Sequence, residues 1–308
     1  MPSQTEIRQQ ITNQIIESLE KGDLPPWRRP WSISKNSGFP SNVKSGKQYR
    51  GINPLLLELH ARKHGFHSKW WATYHQWQSL GGHVLKRPKD VGSGEWGCKV
   101  VFWKQVTKTV INQNTGAEEE DSFPLMRQYT LFNADQVEGV TRFQSGEPEI
   151  LNEEDCNYKP AEELISATGA DIRNGGDRAF YALPRPSGSW PEHSDGDFIQ
   201  VPLKAQFSSS RYYETMFHEL AHWSEIRLGM KRDYAFCELV AEICSPYLAT
   251  ELNIPQGEDL ENHIAYLKGW LRAMKNDPKF IFSASTQASK TTDFLMSFVN
   301  EPVEAKSA

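Results

Sequence analysis

The five residues HELAH at 218–222 constrain this 308-residue chain more than any other feature. They lie within 213–226, a run without glycine or proline, which predicts a helix. Helical positions four apart project from one face, about one turn from each other. His218 and His222 can therefore reach one ion while Glu219 leans towards an open coordination position. Such a helix needs a second element to complete the ligand set. The downstream histidine of the extended metzincin pattern is absent, so the third ligand is expected to be a carboxylate from elsewhere. A second predicted helix, 234–252, carries Glu238, 16 residues after His222, and Glu242 one turn further on. This ExxxE spacing lets Glu238 bind the ion while Glu242 supports a histidine from behind, and it permits the reverse assignment as well.

With His218, His222 and Glu238 as ligands, the expected ion is one Zn2+ per chain, and the same set accepts Mn2+, cobalt or nickel. A water in the fourth position is then acidified to a pKa of about 7. Glu219 can take its proton as it attacks a carbonyl, and an amide is hydrolysed. A purely structural ion is the competing reading. His60 and His64 show the same spacing, but no carboxylate or cysteine on a second element accompanies them, so they are not expected to bind metal.

Charge divides the chain. Residues 1–110 hold 17 Lys and Arg against seven Asp and Glu, about +10, whereas the whole chain carries −5. Seven of the ten tryptophans fall in the same basic stretch. Aromatic faces on which bases stack, set among cations that follow phosphates, are what sequence-tolerant single-strand binding requires. Part of the tryptophans should fill a core. Trp27, Trp31, Tyr49 and Trp103 are the stacking candidates, with Arg28, Arg29, Lys47, Arg50, Lys86, Lys89 and Lys104 as phosphate contacts. No helix-turn-helix or zinc-finger pattern favours duplex DNA.

Periodicity predicts an α+β protein. Ile7, Ile11, Ile15 and Leu19 mark a first helix over 4–20; further helices are expected at 53–63 and 70–80, and strands at 99–104, 106–111 and 128–132. The expected division is a domain over 1–136 of helix and antiparallel sheet, a linker over 137–160, and a mainly helical domain over 161–308. In the last, helices are expected at 161–168, 210–228, 234–252, 262–276 and 283–299, and strands at 179–183 and 198–201, with a loop between those strands. No apolar run approaches the roughly 20 residues of a membrane span, and no signal-like N-terminus is present, which points to a cytoplasmic protein. Four cysteines without a CxxC pair read as reduced thiols.

The chain carries, in order, PPWRRPW at 25–31, YRGINPLLL at 49–57, WWATYHQWQSLGGHV at 70–84, VVFWK at 100–104, YTLFNADQV at 129–137, RAFYALP at 178–184, YYETMFHELAHW at 212–223 and YAFCELVAEI at 234–243. In these motifs it resembles the ArdC-type antirestriction proteins of conjugative plasmids and the related N-terminal parts of plasmid DNA primases. The resemblance implies a single-stranded-DNA-binding domain followed by a zincin-like metallopeptidase domain of gluzincin type. It also implies a role in protecting incoming DNA from host restriction, and it favours Glu238 as third ligand. Cys237 departs from the pattern, where a second acid is expected, and the PSGSWPEHSDG stretch before Asp197 resembles an insertion. A protein substrate in the restriction system, cleaved by a peptidase that the basic domain merely tethers to DNA, is the alternative.

Overall fold

The structure is a computed structural model that describes residues 3–28, 36–111, 118–146, 156–183, 196–230, 233–256 and 261–300. Helix α1 (Gln4–Glu20) starts where Ser3 and Glu6 cap each other: the Glu6 amide donates to Ser3 Oγ and the Ser3 amide to Glu6 Oε2. The stripe of Ile7, Ile11, Ile15 and Leu19 is buried as its spacing requires. Helix α2 (Asn53–His64) is tied to the sheet by Asn53, whose side chain donates to the Val101 carbonyl and accepts from the Val101 amide.

The expected helix over 70–80 is only half a helix. Trp70–Ala72 form strand β2, and α3 (Tyr74–Ser79) begins after Thr73, which shares a capping box with Gln76. β2 pairs with β5 (Glu118–Asn133), Trp71 opposite Asn133, and buries Trp71 and Ala72. Pairing with a distant strand outweighs the local helical pattern. The three expected strands merge into a long antiparallel ribbon, β4 (Cys98–Ile111) with β5. The sheet order is β1-β2-β5-β4, where β1 is Ser41–Asn42. Residues 137–146 do not begin as a linker. β6 (Val137–Glu138) pairs with β3 (His83–Val84), and Val137 and Val140 join Trp77 in a small second core.

The C-terminal half opens with α4 (Lys159–Thr168) and a three-stranded sheet of order β7-β9-β8. In it β7 (Ile172–Asn174) runs parallel to β9 (Phe198–Val201), and β8 (Phe180–Ala182) is the antiparallel edge. Helices α5 (Ser209–Arg227), α6 (Tyr234–Glu251), α7 (Glu261–Asn276) and α8 (Phe280–Asn300) follow. Among the described residues of this half, β7 is the one strand that periodicity does not predict. One contiguous set of buried apolar side chains runs from α1 to α8, so the two halves share a core. Trp27 meets Trp270 edge-on at 6.1 Å, Phe39 meets Tyr247 at 4.8 Å, and the Gly51 amide donates to Ser289 Oγ at 3.1 Å. The four cysteines are free thiols.

Candidate metal centre and cationic groove

α5 and α6 pack side by side and bring HELAH against the second turn of α6. Asp233 caps α6 by accepting from the Phe236 amide, which sets the helix phase that turns Glu238 and Glu242 inward. Among the described residues, His218, His222 and Glu238 form a group whose ligand atoms all lie within 4.8 Å of one another. The two Nε2 atoms are 3.1 Å apart, and the Glu238 carboxylate oxygens sit 3.5 Å from His218 Nε2 and 3.6 Å from His222 Nε2. Two nitrogens bound tetrahedrally to zinc at roughly 2.0–2.1 Å would be about 3.3 Å apart, so the donor set fits such an ion.

The remaining imidazole nitrogens face carboxylates. His222 Nδ1 is 2.5 Å from Glu225 Oε1, and His218 Nδ1 is 3.7 Å from Glu242 Oε1. A proton held on His222 Nδ1 by Glu225 leaves its Nε2 lone pair aimed at the common point, and the Glu242 carboxylate faces His218 Nδ1 from the other side. Burial alone would lower His222, but Glu225 and Glu238 outweigh it and push its pKa up to about 10. Burial would raise Glu238; hydrogen bonds to His218 and His222 outweigh it and hold this carboxyl below its usual range. Glu219 and Glu242 are raised, chiefly by burial.

Edge strand β8 reaches Glu219, whose carboxylate accepts the Tyr181 amide. The strand is in turn fastened to the end of α5: Tyr181 Oη donates to Asp197 at 2.8 Å, and Asp197 pairs with Arg227 at 2.6 Å. The structure therefore brings together all five predicted residues, Glu219, His218, His222, Glu238 and Glu242. It adds Glu225 and Tyr234, whose hydroxyl bonds Glu238. Glu225 was legible as the i+3 neighbour of His222; nothing local marked Tyr234. The inserted-looking stretch before Asp197 lies, apart from Gly196, outside the described residues.

The expected DNA contacts divide. Lys47, Tyr49, Arg50, Trp103 and Lys104 line one open groove of about 1630 Å3 between α1, the 42–53 segment and the base of the β4–β5 ribbon. Trp103 is 47% exposed, with the Arg8 guanidinium 5.1 Å above its ring. Phe102 and Tyr129 add two more exposed rings, 5.5 Å apart and edge to face. Two stacking assignments are corrected. Trp27 is 3% exposed against Trp270, and Tyr49 is buried, with Asn42 Nδ2 donating to its hydroxyl, so neither ring has a free face for a base. Arg28 is also turned inward, 3.6 Å from Glu214. Lys86 and Lys89 are exposed but line no part of the groove. Arg29 and Trp31 lie outside the described residues.

A helix carrying HExxH, an adjoining helix carrying the acidic ligand candidate and a small sheet with an antiparallel edge strand define a zincin-like domain, and residues 159–287 match the family described as zincin-like metallopeptidase. Zincin-like domains are built around a divalent ion. Residues 5–132 match the family described as the N-terminal domain of anti-restriction factor ArdC. The crystal structure of antirestriction protein ArdC from plasmid R388 in its metal-free form is 35% identical, with a TM-score of 0.74, covering 94% of this chain and 97% of that one. Its Mn(II)-bound form is 34% identical, with a TM-score of 0.68, covering 96% and 98%. The chain belongs to the ArdC antirestriction family.

Among curated proteins, the uncharacterized protein y4eC of Sinorhizobium fredii is 33% identical over 305 residues, 94% of this chain and 92% of that protein. Two Escherichia coli proteins named DNA primase TraC are 33% and 32% identical over 96% of this chain, which spans only 27% and 20% of their lengths. Among the described residues no helix is long and apolar enough to cross a membrane.

Proposed function

We propose that this protein binds single-stranded DNA in the groove beside Trp103, shields incoming plasmid DNA from host restriction during conjugation, and carries a zinc-dependent peptidase centre at His218, His222 and Glu238. The observation that carries the DNA reading is the conjunction of exposed Trp103, Phe102 and Tyr129 with exposed Lys44, Lys47 and Lys104 in one groove. Rings give bases a stacking surface, and unneutralised cations attract phosphates without reading sequence. Membership of the antirestriction family supports the protective role.

When bound, the ion supplies Lewis acidity to the scissile carbonyl and to the attacking water. Glu219 is the general base. Its burial and the Tyr181 amide hold one carboxylate oxygen, leaving the other to receive the proton, and its raised pKa moves it towards the operating range of such a base. Glu225 and Glu242 keep the two imidazoles turned inward.

Fluorescence anisotropy with labelled single-stranded and duplex oligonucleotides tests the DNA reading. Trp103→Ala should weaken single-strand binding by about tenfold or more, and Glu219→Gln should leave it unchanged. Wild-type protein that binds neither ligand overturns it. The buried, oriented Glu219 favours one rival, a peptidase that destroys a restriction component; that rival predicts loss of protection in Glu219→Gln, where the present reading predicts that protection survives.

A further inference from the structure

The groove has a second wall that belongs to the C-terminal half. Lys279, in the turn between α7 and α8, and Lys290, on α8, line it together with Phe282, Thr286 and Gln287. Among the described residues, seven lysines and arginines line the groove and no aspartate or glutamate does. That is unexpected for the acidic half of the chain, since residues 1–110 carry about +10 and the total is −5. Lys279 and Lys290 are exposed and make no ion pair among the described residues, whereas Lys275, one turn earlier, is held by Glu20 at 2.6 Å. The two walls are fixed to each other. Besides the Gly51–Ser289 hydrogen bond, Arg50 pairs with Asp293 of α8 at 2.6 Å.

A cavity of about 1630 Å3 exceeds the roughly 300–1,000 Å3 of small-molecule pockets, which suits a polymer rather than a free nucleotide. We propose that the nucleic-acid site is composite: a single strand runs between the two halves, its bases against Trp103, Phe102 and Tyr129, and its phosphates against Lys279 and Lys290 as well as the N-terminal cations. The proposal rests on the single-strand reading above and extends it to residues of the zincin-like half. Removing charge from α8 should therefore weaken binding although no residue of the N-terminal half has changed.

The test uses the full chain and a labelled oligodeoxythymidylate, with anisotropy titrations between 50 and 200 mM salt for wild type, Lys279→Gln/Lys290→Gln, Lys44→Gln/Lys104→Gln and the control Lys275→Gln, and circular dichroism to confirm folding. Loss of two phosphate contacts should flatten the logarithmic salt slope by about 1.4 in the first double variant, at about 0.7 per contact, and weaken low-salt binding several-fold for any base composition. Lys275→Gln should bind as wild type does, and Lys290→Arg should restore the contact it replaces. An unchanged slope and affinity in Lys279→Gln/Lys290→Gln, with loss in Lys44→Gln/Lys104→Gln, overturns the composite site and leaves the single-strand reading standing. A wild type that does not bind the oligonucleotide overturns both.

Discussion

Two helices of this protein carry histidines four residues apart, His60 and His64 on α2 and His218 and His222 on α5. The rings of the first pair lie 4.6 Å apart and those of the second 4.8 Å. Their surroundings are opposite. His60 and His64 sit among Phe66, Trp71 and Trp96, bond the main chain at Trp96 and Glu95, and bury their Nε2 atoms without a hydrogen-bond partner among the described residues. Burial pushes His60 down to about 4, and Lys63 and the neighbouring imidazole act in the same direction. His222 is driven the other way because Glu225 and Glu238 face it. Helical spacing aims two imidazoles at one point; what a second element places there decides whether the point suits a cation.

The comparison can be broken by metal analysis. Glu238→Ala should reduce the metal content of purified protein from about one ion per chain to nearly none, while His60→Ala combined with His64→Ala should leave it at one. Metal retained in Glu238→Ala would return the third-ligand role to Glu242. A smaller effect is expected behind the ligands. Glu225→Gln keeps the shape but removes the charge that orients His222, and competition with a chromogenic chelator should show a 10–100-fold weaker metal affinity, as is typical of such supports. An unchanged affinity would mean that packing alone holds the ring.

The smallest effect concerns the packed pair. His60 is neutral when folded down to about pH 4, whereas the unfolded chain takes up the proton below about 6.5. Stability present above pH 6.5 should therefore be lost as pH falls towards 4, on the order of 3 kcal/mol from this one group. Urea midpoints at pH 7.5 and 4.5 should move less far apart in His60→Gln than in wild type. Equal separation in both would show that His60 is already protonated in the fold.

The helices were legible in the sequence because their signals are local. The Ile7 to Leu19 stripe and the run around HELAH each act within a turn or two, and the observed ends fall within about three residues of the expected ones. Local reading failed at Trp70–Ala72, where strand pairing competes with a helical pattern, and at 137–146, where two valines in a Gly-containing segment find a core that composition does not announce.

By itself the sequence determined the chemistry on offer: two histidines on one helical face with Glu219 between them, an acidic helix to follow, and a basic half rich in tryptophan. Spacing along a helix is a property of the backbone, so those placements needed no partner. Only the tertiary structure decided which groups meet. It put Trp27 against Trp270 and left Trp103 exposed beside Arg8, it set Glu242 behind His218, and it laid α8 along the groove. The physical reason is that burial and electrostatic neighbourhood are made between segments far apart in the chain, and no short-range pattern records them.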